Sequence, residues 1–489
     1  MIDRSIEQAR IVIVGSGFAG LGAAIRLRQA GIEDFVILER ADAVGGVWRD
    51  NVYPGVACDV ESHLFQYSFA PNPDWTEKYS PGGEIWEYLE RCATAFGLRP
   101  HLRFGAEVRD AQWCPESKRW DIETSAGQWS AKVLVSAVGA LSAPNVPAIP
   151  GLDRFAGPVF HSARWDRSAD LRGKRVAVVG TGASAIQIVP TIQPIVSHLA
   201  VFQRTPAWVV PRHNGPIGPG TRRLLRRFPL AQRLVRGRIR LTREMLGAGF
   251  RHPVIMRLLQ GMGRRHLHRA VKDPALRAAL TPHFTIGCKR IMVSDDYYPA
   301  LTRPNVRLVP GAATEVRPHG VVGADGTEHP VDAIVLCTGF EVADFPFSHQ
   351  VRGRDGRTLA EHWDRSPKAH LGTTVHGFPN LFLLQGPNTG LGHSSVVLMQ
   401  EAQYEHLVNA VRYLDEQGLS TLEPSEAAQA TFVTEVDRRM QQTVWMQGGC
   451  RSWYLDSTGR NSALWPGSTG AFQRRTRTFN PAEYELNGA

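Results

Sequence analysis

Glycines at matching intervals occur twice in the chain, each time directly after a short run of β-branched and small apolar residues. The first set is Gly15, Gly17 and Gly20, after Ile11 to Val14, and the second is Gly180-Thr181-Gly182-Ala183-Ser184-Ala185, after Val176 to Val179. In such a turn the first glycine permits the bend, the second lets backbone approach a pyrophosphate, and the third position packs helix against strand. The N-terminus of the following helix then favours negative charge. Both turns therefore predict dinucleotide-binding sites.

The residue after the next predicted strand distinguishes the two sites. Glu39 follows Gly15 by 24 residues, directly after a strand-like run, and its carboxylate would accept hydrogen bonds from ribose hydroxyls. Arg204 follows Gly180 by the same interval, and its guanidinium suits a 2′-phosphate. We therefore predict FAD or NAD at the first turn and NADPH, rather than NADH, at the second.

Two strand–turn–helix–strand units in one chain predict an α/β protein with two Rossmann-like dinucleotide-binding domains. We expect the first domain to be discontinuous, residues 1–152 and 331–489, with the NADPH-binding domain inserted at residues 153–330. The apolar run Val331 to Leu336 is expected to return the chain to the first domain. The Arg- and Leu-rich stretch at about 215–282 is expected to be a helical insertion.

Composition and cysteine spacing limit the class of protein. The chain has 489 residues, 43% hydrophobic and 21% charged, which is typical of a globular protein with two or three domains. No apolar run is long enough to span a bilayer, and Met1 to Arg10 does not resemble a signal peptide. The six cysteines include no CxxC pair, so we predict neither a metal site nor a disulfide redox pair, and we expect a cytoplasmic protein.

The net charge of +10 has its main source between Arg222 and Lys272, a stretch dense in arginine. Nucleic acid or an anionic membrane could use such a stretch, but no nucleic-acid motif accompanies it. We interpret it as the solvated faces of surface helices. Neither a nucleic-acid partner nor membrane association is expected, and the protein is expected to be a monomer or a small homo-oligomer.

Two longer segments resemble the signatures of Baeyer–Villiger monooxygenases. Gly45-Gly46-Val47-Trp48 continues to Tyr53-Pro54-Gly55 and then to Asp59, as in the family motif beside the flavin. The second segment fits the pattern FxGxxxHxxxW followed by Pro or Asp, with Phe155, Gly157, His161, Trp165 and Asp166. The resemblance extends from about Ile11 to Trp453. For His161 and Trp165, a role in packing that anchors a linker between domains is as well supported as a role in the reaction.

The resemblance implies an FAD enzyme that uses NADPH and O₂ to convert ketones to esters or lactones through a C4a-peroxyflavin. It implies that Arg290 is the catalytic cation and that Asp59 positions it. Lys289 and Thr205 would assist Arg204 at the 2′-phosphate, and Trp453 would cover the nicotinamide cofactor. The implied cofactor-binding residues are Gly15, Gly17, Gly20, Glu39, Gly46, Val47, Trp48, Asp59, Phe65, Val108, Gly180, Thr181, Gly182, Ala183, Ser184, Arg204, Thr205, Lys289, Arg290 and Trp453.

Three alternatives stay open. Related flavin-containing monooxygenases oxidise sulfur or nitrogen, but they usually carry Tyr–Lys or Tyr–Arg where this chain has Trp165-Asp166. A flavin or disulfide reductase shares the two-domain plan but would need a cysteine pair beside the flavin. A basic nucleotide-binding or membrane-associated sensor would rest on the arginine-rich stretch alone. Ala57 and Phe65 replace the family's usual Arg and Tyr, so the substrate is not defined.

Overall fold

The computed structural model describes residues 6–342 and 346–488, so residues 1–5 of the polar N-terminal segment lie outside the described part. The strands of this part, in chain order, are β1 (Glu7–Val14), β2 (Phe35–Leu38), β3 (Leu102–Arg103), β4 (Val108–Cys114), β5 (Arg119–Thr124), β6 (Gln128–Ser136), β7 (Val159–His161), β8 (Arg175–Val179), β9 (His198–Gln203), β10 (Val209–Val210), β11 (Met292–Val293), β12 (Val306–Pro310), β13 (Glu315–Arg317), β14 (Gly320–Val322), β15 (Glu328–Pro330), β16 (Ala333–Leu336), β17 (Val351–Arg352), β18 (Leu381–Leu383), β19 (Leu419–Pro424) and β20 (Tyr484–Gly488).

Helices cover the sheets and connect their strands. The α-helices of the described part are α1 (Phe18–Gln29), α2 (Val47–Asp50), α3 (Gly82–Ala95), α4 (Ala185–Ile192), α5 (Pro219–Arg227), α6 (Pro229–Gly249), α7 (Pro253–Ala270), α8 (Pro274–Ala279), α9 (Tyr297–Leu301), α10 (Leu359–Trp363), α11 (Val397–Glu416), α12 (Glu426–Met440), α13 (Val444–Gln447) and α14 (Thr469–Thr476). The predicted helical stretch at about 215–282 thus contains α5 to α8.

The first sheet contains β1 to β6 together with β17 and β18, in the order β17-β4-β5-β6-β1-β2-β3, with β18 paired to β6. Strand β1 lies between β2 and β6 and is parallel to both. Its apolar residues are buried on both faces, as expected for a parallel strand covered by helices on each side. Helices α1 and α11 pack together in this core. The Gly15 turn therefore lies at the carboxyl end of a central strand.

The second sheet has five parallel strands in the order β12-β9-β8-β16-β7. Its central strand β8 leads into the Gly180 turn, so the two glycine turns occupy equivalent places in two sheets. The α/β class with two Rossmann-like sheets is confirmed.

One strand was assigned to the wrong sheet. We expected the run ending at Leu336 to return the chain to the first domain, but β16 pairs with β7 and β8 in the second sheet. A short strand that is apolar on both faces fits the interior of any parallel sheet, so its sequence does not identify its partners. The chain rejoins the first sheet at β17 and β18. The inserted arrangement of the two domains stays a prediction.

Among the described residues, no helix is both long enough and apolar enough to cross a membrane.

Candidate active site

The first glycine turn leaves no room for a side chain at Gly15 or Gly20. Gly15 has φ +100°, and a Cβ on Gly20 would lie 1.9 Å from the Gly15 carbonyl oxygen. A Cβ on Gly46 would lie 3.1 Å from the Cα of Gly17, so backbone meets backbone there. No side chain caps the N-terminus of α1. Its free N–H groups and the close backbone fit a pyrophosphate.

Glu39 lies at the end of β2 with its carboxylate buried beside this turn. The carboxylate accepts hydrogen bonds from the Ser16 N–H at 2.9 Å, the Ser16 hydroxyl at 2.6 Å and the Ala41 N–H at 3.0 Å, and it pairs with Arg49 at 3.2 Å. Burial alone would raise the pKa of Glu39, but these hydrogen bonds and the Arg49 charge outweigh burial and lower it. Glu39 is therefore a fixed anion, as a ribose-binding carboxylate must be.

Aromatic residues border the same turn. Trp48, in α2 directly after Val47, packs against Phe65 with ring centroids 5.4 Å apart, and Phe65 packs against Phe18 at 5.0 Å. Val108 is buried at the start of β4. Ala106, two residues before it, donates its N–H to the Glu39 carbonyl oxygen at 2.9 Å. The predicted residues Val47, Trp48, Phe65 and Val108 thus all lie around one end of the first sheet.

The second turn repeats the geometry of the first. Gly180 has φ +113°, and a Cβ there would lie 2.3 Å from the Cys337 carbonyl oxygen. Around Gly182 the space is open. The Thr181 hydroxyl donates to the Thr205 carbonyl oxygen at 3.1 Å, which joins the turn to the segment after β9. Ala183 and Ser184 lead into α4, whose N-terminus has no side-chain cap. This turn also fits a pyrophosphate.

Two cations lie together near this second turn. Arg204 is exposed directly after β9, and Lys289 comes from a distant loop before β11. Burial and the charge of Arg204 both lower the pKa of Lys289. Because adjacent like charges repel, the arrangement favours an anion between them.

Arg290 and Asp59 form an ion pair between two segments that are far apart in the chain. Asp59 Oδ2 accepts from Arg290 Nε at 2.9 Å and from Nη2 at 2.6 Å, while Nη1 donates to the Leu391 carbonyl oxygen at 3.3 Å. The Asp59 carboxylate raises the pKa of Arg290 further, against the effect of burial. Burial would raise the pKa of Asp59, but Arg290 lowers it. Both groups are therefore charged across the working pH range.

A cavity opens beside this ion pair. Asp59, Arg243, Arg290 and His393 are its ionisable lining residues, and most of the others are apolar. The His393 ring is buried, and its Nε2 lies 3.9 Å from Glu244 Oε1 on α6. The apolar lining residues are Val60, Val210, Leu246, Leu259, Met262, Ile286, Ile291 and Val293. The lining suits a largely apolar molecule whose polar group meets the guanidinium.

Comparison with known proteins agrees with this geometry. The family model described as flavin-binding monooxygenase-like matches residues 8–354. The chain belongs to that family. It is 53% identical to a Baeyer–Villiger monooxygenase of Streptomyces coelicolor, over 98% of this chain and 93% of the relative. A Baeyer–Villiger monooxygenase of Pseudomonas aeruginosa is 45% identical, over 98% and 92% of the two chains. The crystal structure of cyclohexanone monooxygenase from Rhodococcus sp. Phi1 bound to NADP⁺ superposes with a TM-score of 0.88 at 29% identity, covering 99% of this chain and 100% of that one. The predicted family resemblance is confirmed.

In this flavin-binding monooxygenase the second signature has an evident packing role. His161 is buried, and its Nδ1 accepts the Ala163 N–H at 3.1 Å. Trp165 packs on Phe160 with ring centroids 4.8 Å apart, and Asp166 accepts from the Ser168 N–H and hydroxyl. A Cβ on Gly157 would lie 2.2 Å from the Asp332 carbonyl oxygen, and Phe155 packs against the core of the second sheet. The structure places none of these five residues in the lining of the Arg290 cavity.

Contacts between the two sheets were missed in the sequence. Gln187, on α4, accepts the Tyr53 hydroxyl at 2.9 Å through Oε1 and donates to the Ala57 carbonyl oxygen at 2.9 Å through Nε2. Arg212 donates to the Cys58 carbonyl oxygen at 2.9 Å. These bonds hold the Asp59 loop against elements of the second sheet. A single glutamine or arginine has no local pattern that would have identified this role.

The sequence analysis predicted no disulfide redox pair of nearby cysteines, and it did not indicate the disulfide that Cys288 and Cys450 form. Spacing rules look for nearby cysteines, and these two are 162 residues apart. The bond joins the loop of Lys289 and Arg290 to the loop of Trp453.

Trp453 is exposed and packs on Tyr454 with ring centroids 4.4 Å apart. The Tyr454 hydroxyl is buried near Arg290, and burial raises the pKa of Tyr454 to about 12 although the Arg290 charge opposes this. Tyr454 was not among the predicted site residues.

Proposed function

We propose that the protein is an NADPH- and O₂-dependent Baeyer–Villiger monooxygenase that converts ketones to esters or lactones. The ion pair of Arg290 and Asp59 beside an apolar cavity carries this proposal, because it holds a permanent cation where an apolar carbonyl compound would bind. FAD and NADPH are its cofactors: the family is flavin-binding, the Rhodococcus structure contains NADP⁺, and both glycine turns fit a dinucleotide.

Each cofactor has its own set of residues in this proposal. Glu39 binds the FAD ribose beside the Gly15 turn. Arg204, Lys289 and Thr205 bind the 2′-phosphate of NADPH, since a phosphate relieves the repulsion between the two cations. Trp453, which is exposed, would cover the nicotinamide. When bound, FAD would supply the redox chemistry between NADPH and O₂.

Arg290 stabilises negative charge on the oxygen atoms that react with the carbonyl group. A guanidinium suits this task because it stays protonated while the charge around it changes. Asp59 fixes its Nε and Nη2, and the Leu391 carbonyl oxygen holds Nη1. The group is therefore oriented before the substrate arrives, which is what makes electrostatic stabilisation effective. The apolar lining of the cavity selects a ketone with a hydrophobic body.

The test uses the purified flavoprotein with NADPH, isotopically labelled O₂ and a panel of ketones, followed by gas chromatography with mass detection. We expect esters or lactones that carry one labelled oxygen. Arg290→Ala should retain FAD and lose roughly 10²- to 10³-fold in kcat, as when an oxyanion donor is removed. Arg290→Lys is the matched control that keeps the charge but loses the two-point contact with Asp59. Unreacted ketones together with oxidised thioethers would favour the heteroatom-oxidising alternative.

We further propose a cytoplasmic location, a monomer or small homo-oligomer, and no nucleic-acid partner. Four of the six cysteines, Cys58, Cys92, Cys114 and Cys337, are unbridged, which supports the location although Cys288 and Cys450 form a disulfide. Cell fractionation tests the first point. Sedimentation velocity with and without added DNA tests the other two.

A further inference from the structure

Helix α6 presents its apolar stripe to solvent. Leu230, Leu234, Leu241 and Met245 are 59–67% exposed, and their spacing of four, seven and four residues places them on one face of the helix. A surface helix normally turns such a stripe toward the core. Something other than the described chain is therefore expected to cover these side chains.

The opposite face of α6 explains why the helix cannot turn over. Arg236 donates to the carbonyl oxygens of Leu64 and Gln66 at 3.0 and 2.9 Å. Arg243 pairs with Glu61, and both side chains are about 85% buried. Rolling the leucines inward would leave these buried cations and carbonyl groups without partners, which costs more than the leucines would gain.

The two neighbouring helices add to the same kind of surface. Each helix contacts the next along the chain. The exposed large apolar residues of α5, of the residue that joins it to α6, and of α7 are Leu224, Phe228, Ile255, Leu258 and Met262, with Leu258 at 77% the most exposed of the set. We call these residues, together with Leu230, Leu234, Leu241 and Met245 of α6, the outer face.

Charge identifies what fits the outer face. Within the described residues of α5 to α7 the one acidic residue is Glu244, and its carboxylate is engaged by Thr469. The exposed arginines of this stretch are Arg223, Arg226, Arg227, Arg233, Arg238, Arg251, Arg257, Arg264, Arg265 and Arg269. Of these arginines Arg226 pairs with Asp74. Surface leucines interspersed with an excess of arginines are typical of helices that lie in the plane of an anionic lipid surface.

We propose that the outer face docks on an anionic membrane surface, with the leucines entering the acyl boundary and the arginines meeting lipid phosphates. A second copy of the chain would bring arginines against arginines, and a nucleic acid would leave the leucines exposed. An anionic bilayer uses both sets of side chains. Peripheral docking needs no spanning helix. The proposal replaces our expectation from the sequence that the protein does not associate with membranes, because the sequence alone did not show that the leucines of α6 face solvent. Met262 belongs to the outer face and also lines the Arg290 cavity, so the docked surface adjoins the cavity.

The test is flotation of the FAD-loaded enzyme with phosphatidylglycerol vesicles and with phosphatidylcholine vesicles, at low and high salt. We expect the enzyme to float with the anionic vesicles at low salt and to be released by high salt. Leu230→Gln combined with Leu234→Gln and Leu241→Gln should reduce flotation at least fivefold. Arg233→Gln with Arg238→Gln should reduce it roughly tenfold or more, since each cation near the surface contributes to binding.

Matched controls keep the outcome interpretable. Ile195→Gln replaces an exposed apolar residue outside the outer face, and Arg167→Gln with Arg172→Gln replaces exposed arginines elsewhere. Both should float like the wild type, and the leucine variant should keep NADPH oxidation with a water-soluble ketone. Flotation absent at low salt, or unchanged in the leucine variant, overturns the proposal. If the wild type is a dimer that dissociates in the leucine variant, the outer face binds a second copy and the membrane proposal is overturned. If the wild type and the leucine variant bind DNA equally well, the outer face binds nucleic acid and the proposal is likewise overturned.

Discussion

Asp59 holds two nitrogens of Arg290 through a single carboxylate oxygen, so its charge and its position act together. In Asp59→Asn the amide keeps the size but loses the charge, and a hydrogen bond to a charged group contributes about 1.5–3 kcal/mol. We expect kcat for ketone oxidation to fall roughly 10- to 100-fold, with FAD still bound. Steady-state kinetics and the flavin absorbance spectrum check this.

The control for Asp59 is the same substitution at an exposed site, Asp153→Asn, which should leave kcat unchanged. Stopped-flow measurements separate flavin reduction by NADPH from the later oxygen-dependent step. Asp59→Asn with normal turnover would mean that Arg290 needs no partner, and the role assigned to the ion pair would be withdrawn.

The pair Arg204 and Lys289 determines nucleotide preference in this proposal. Removing one cation relieves the repulsion in the empty site but also removes a charged contact to the 2′-phosphate. For Arg204→Ala we expect the ratio of kcat/KM for NADPH over NADH to fall roughly 10- to 100-fold. Lys289→Ala should act in the same direction, while Arg172→Ala, an exposed residue before β8, should have no effect. An unchanged ratio in both variants would place the phosphate elsewhere.

At the scale of elements, the disulfide between Cys288 and Cys450 joins the loop of Arg290 to the loop of Trp453. Alkylation in denaturant should label four cysteines without reductant and six after reduction, because Cys58, Cys92, Cys114 and Cys337 are free. We expect Cys288→Ser with Cys450→Ser to lower Tm by roughly 5 °C, since the cross-link restricts the unfolded chain. KM for NADPH should rise because the covering loop is less well held.

Reductant provides the matched comparison for this cross-link. Dithiothreitol should lower Tm and raise KM for NADPH in the wild type and in Cys114→Ser, toward the values of the Cys288→Ser/Cys450→Ser variant. It should leave Tm and KM of that double variant unchanged. Six labelled cysteines in the unreduced protein would contradict the cross-link.

Features set by a few neighbouring residues could be predicted from the sequence, whereas features that depend on distant parts of the chain could not. The turns at Gly15 and Gly180 were predictable because the requirement for glycine is set within a few residues, as the 1.9 Å approach at Gly20 shows. The pairing of Arg290 with Asp59 was suggested by the family resemblance alone. The sheet of β16 and the Cys288–Cys450 bond depend on distant partners. The orientation of α6 depends on carbonyl groups of residues 63–66 that no helical pattern contains.

At the scale of the whole molecule, Glu244 joins three distant segments. Its carboxylate on α6 accepts the N–H and hydroxyl of Thr469 at the start of α14, and it lies beside His393 from the loop after β18. Burial would raise the pKa of Glu244, but these neighbours outweigh burial and lower it to about 2 from 4.5. A depressed carboxyl pKa stabilises the folded state above pH 4.5, and this stability is lost as the pH falls toward 2.

The shift of Glu244 corresponds to at most about 3 kcal/mol of the free energy of unfolding near neutral pH, because solvent screens part of the interaction of this partly exposed carboxylate. Glu244→Gln should therefore lower stability by up to that amount at pH 7, and the difference from the wild type should shrink below pH 4.5. Urea unfolding followed by flavin release, at several pH values from neutral down to about 3.5, measures this. Glu435→Gln, in an exposed pair with Arg439, should cost at most about 0.5 kcal/mol at any of these pH values. If Glu244→Gln lowers the free energy of unfolding by the same amount at pH 7 and at about pH 3.5, the side chain acts through packing rather than charge. The stabilisation by an ionised carboxylate would be lost as it becomes protonated.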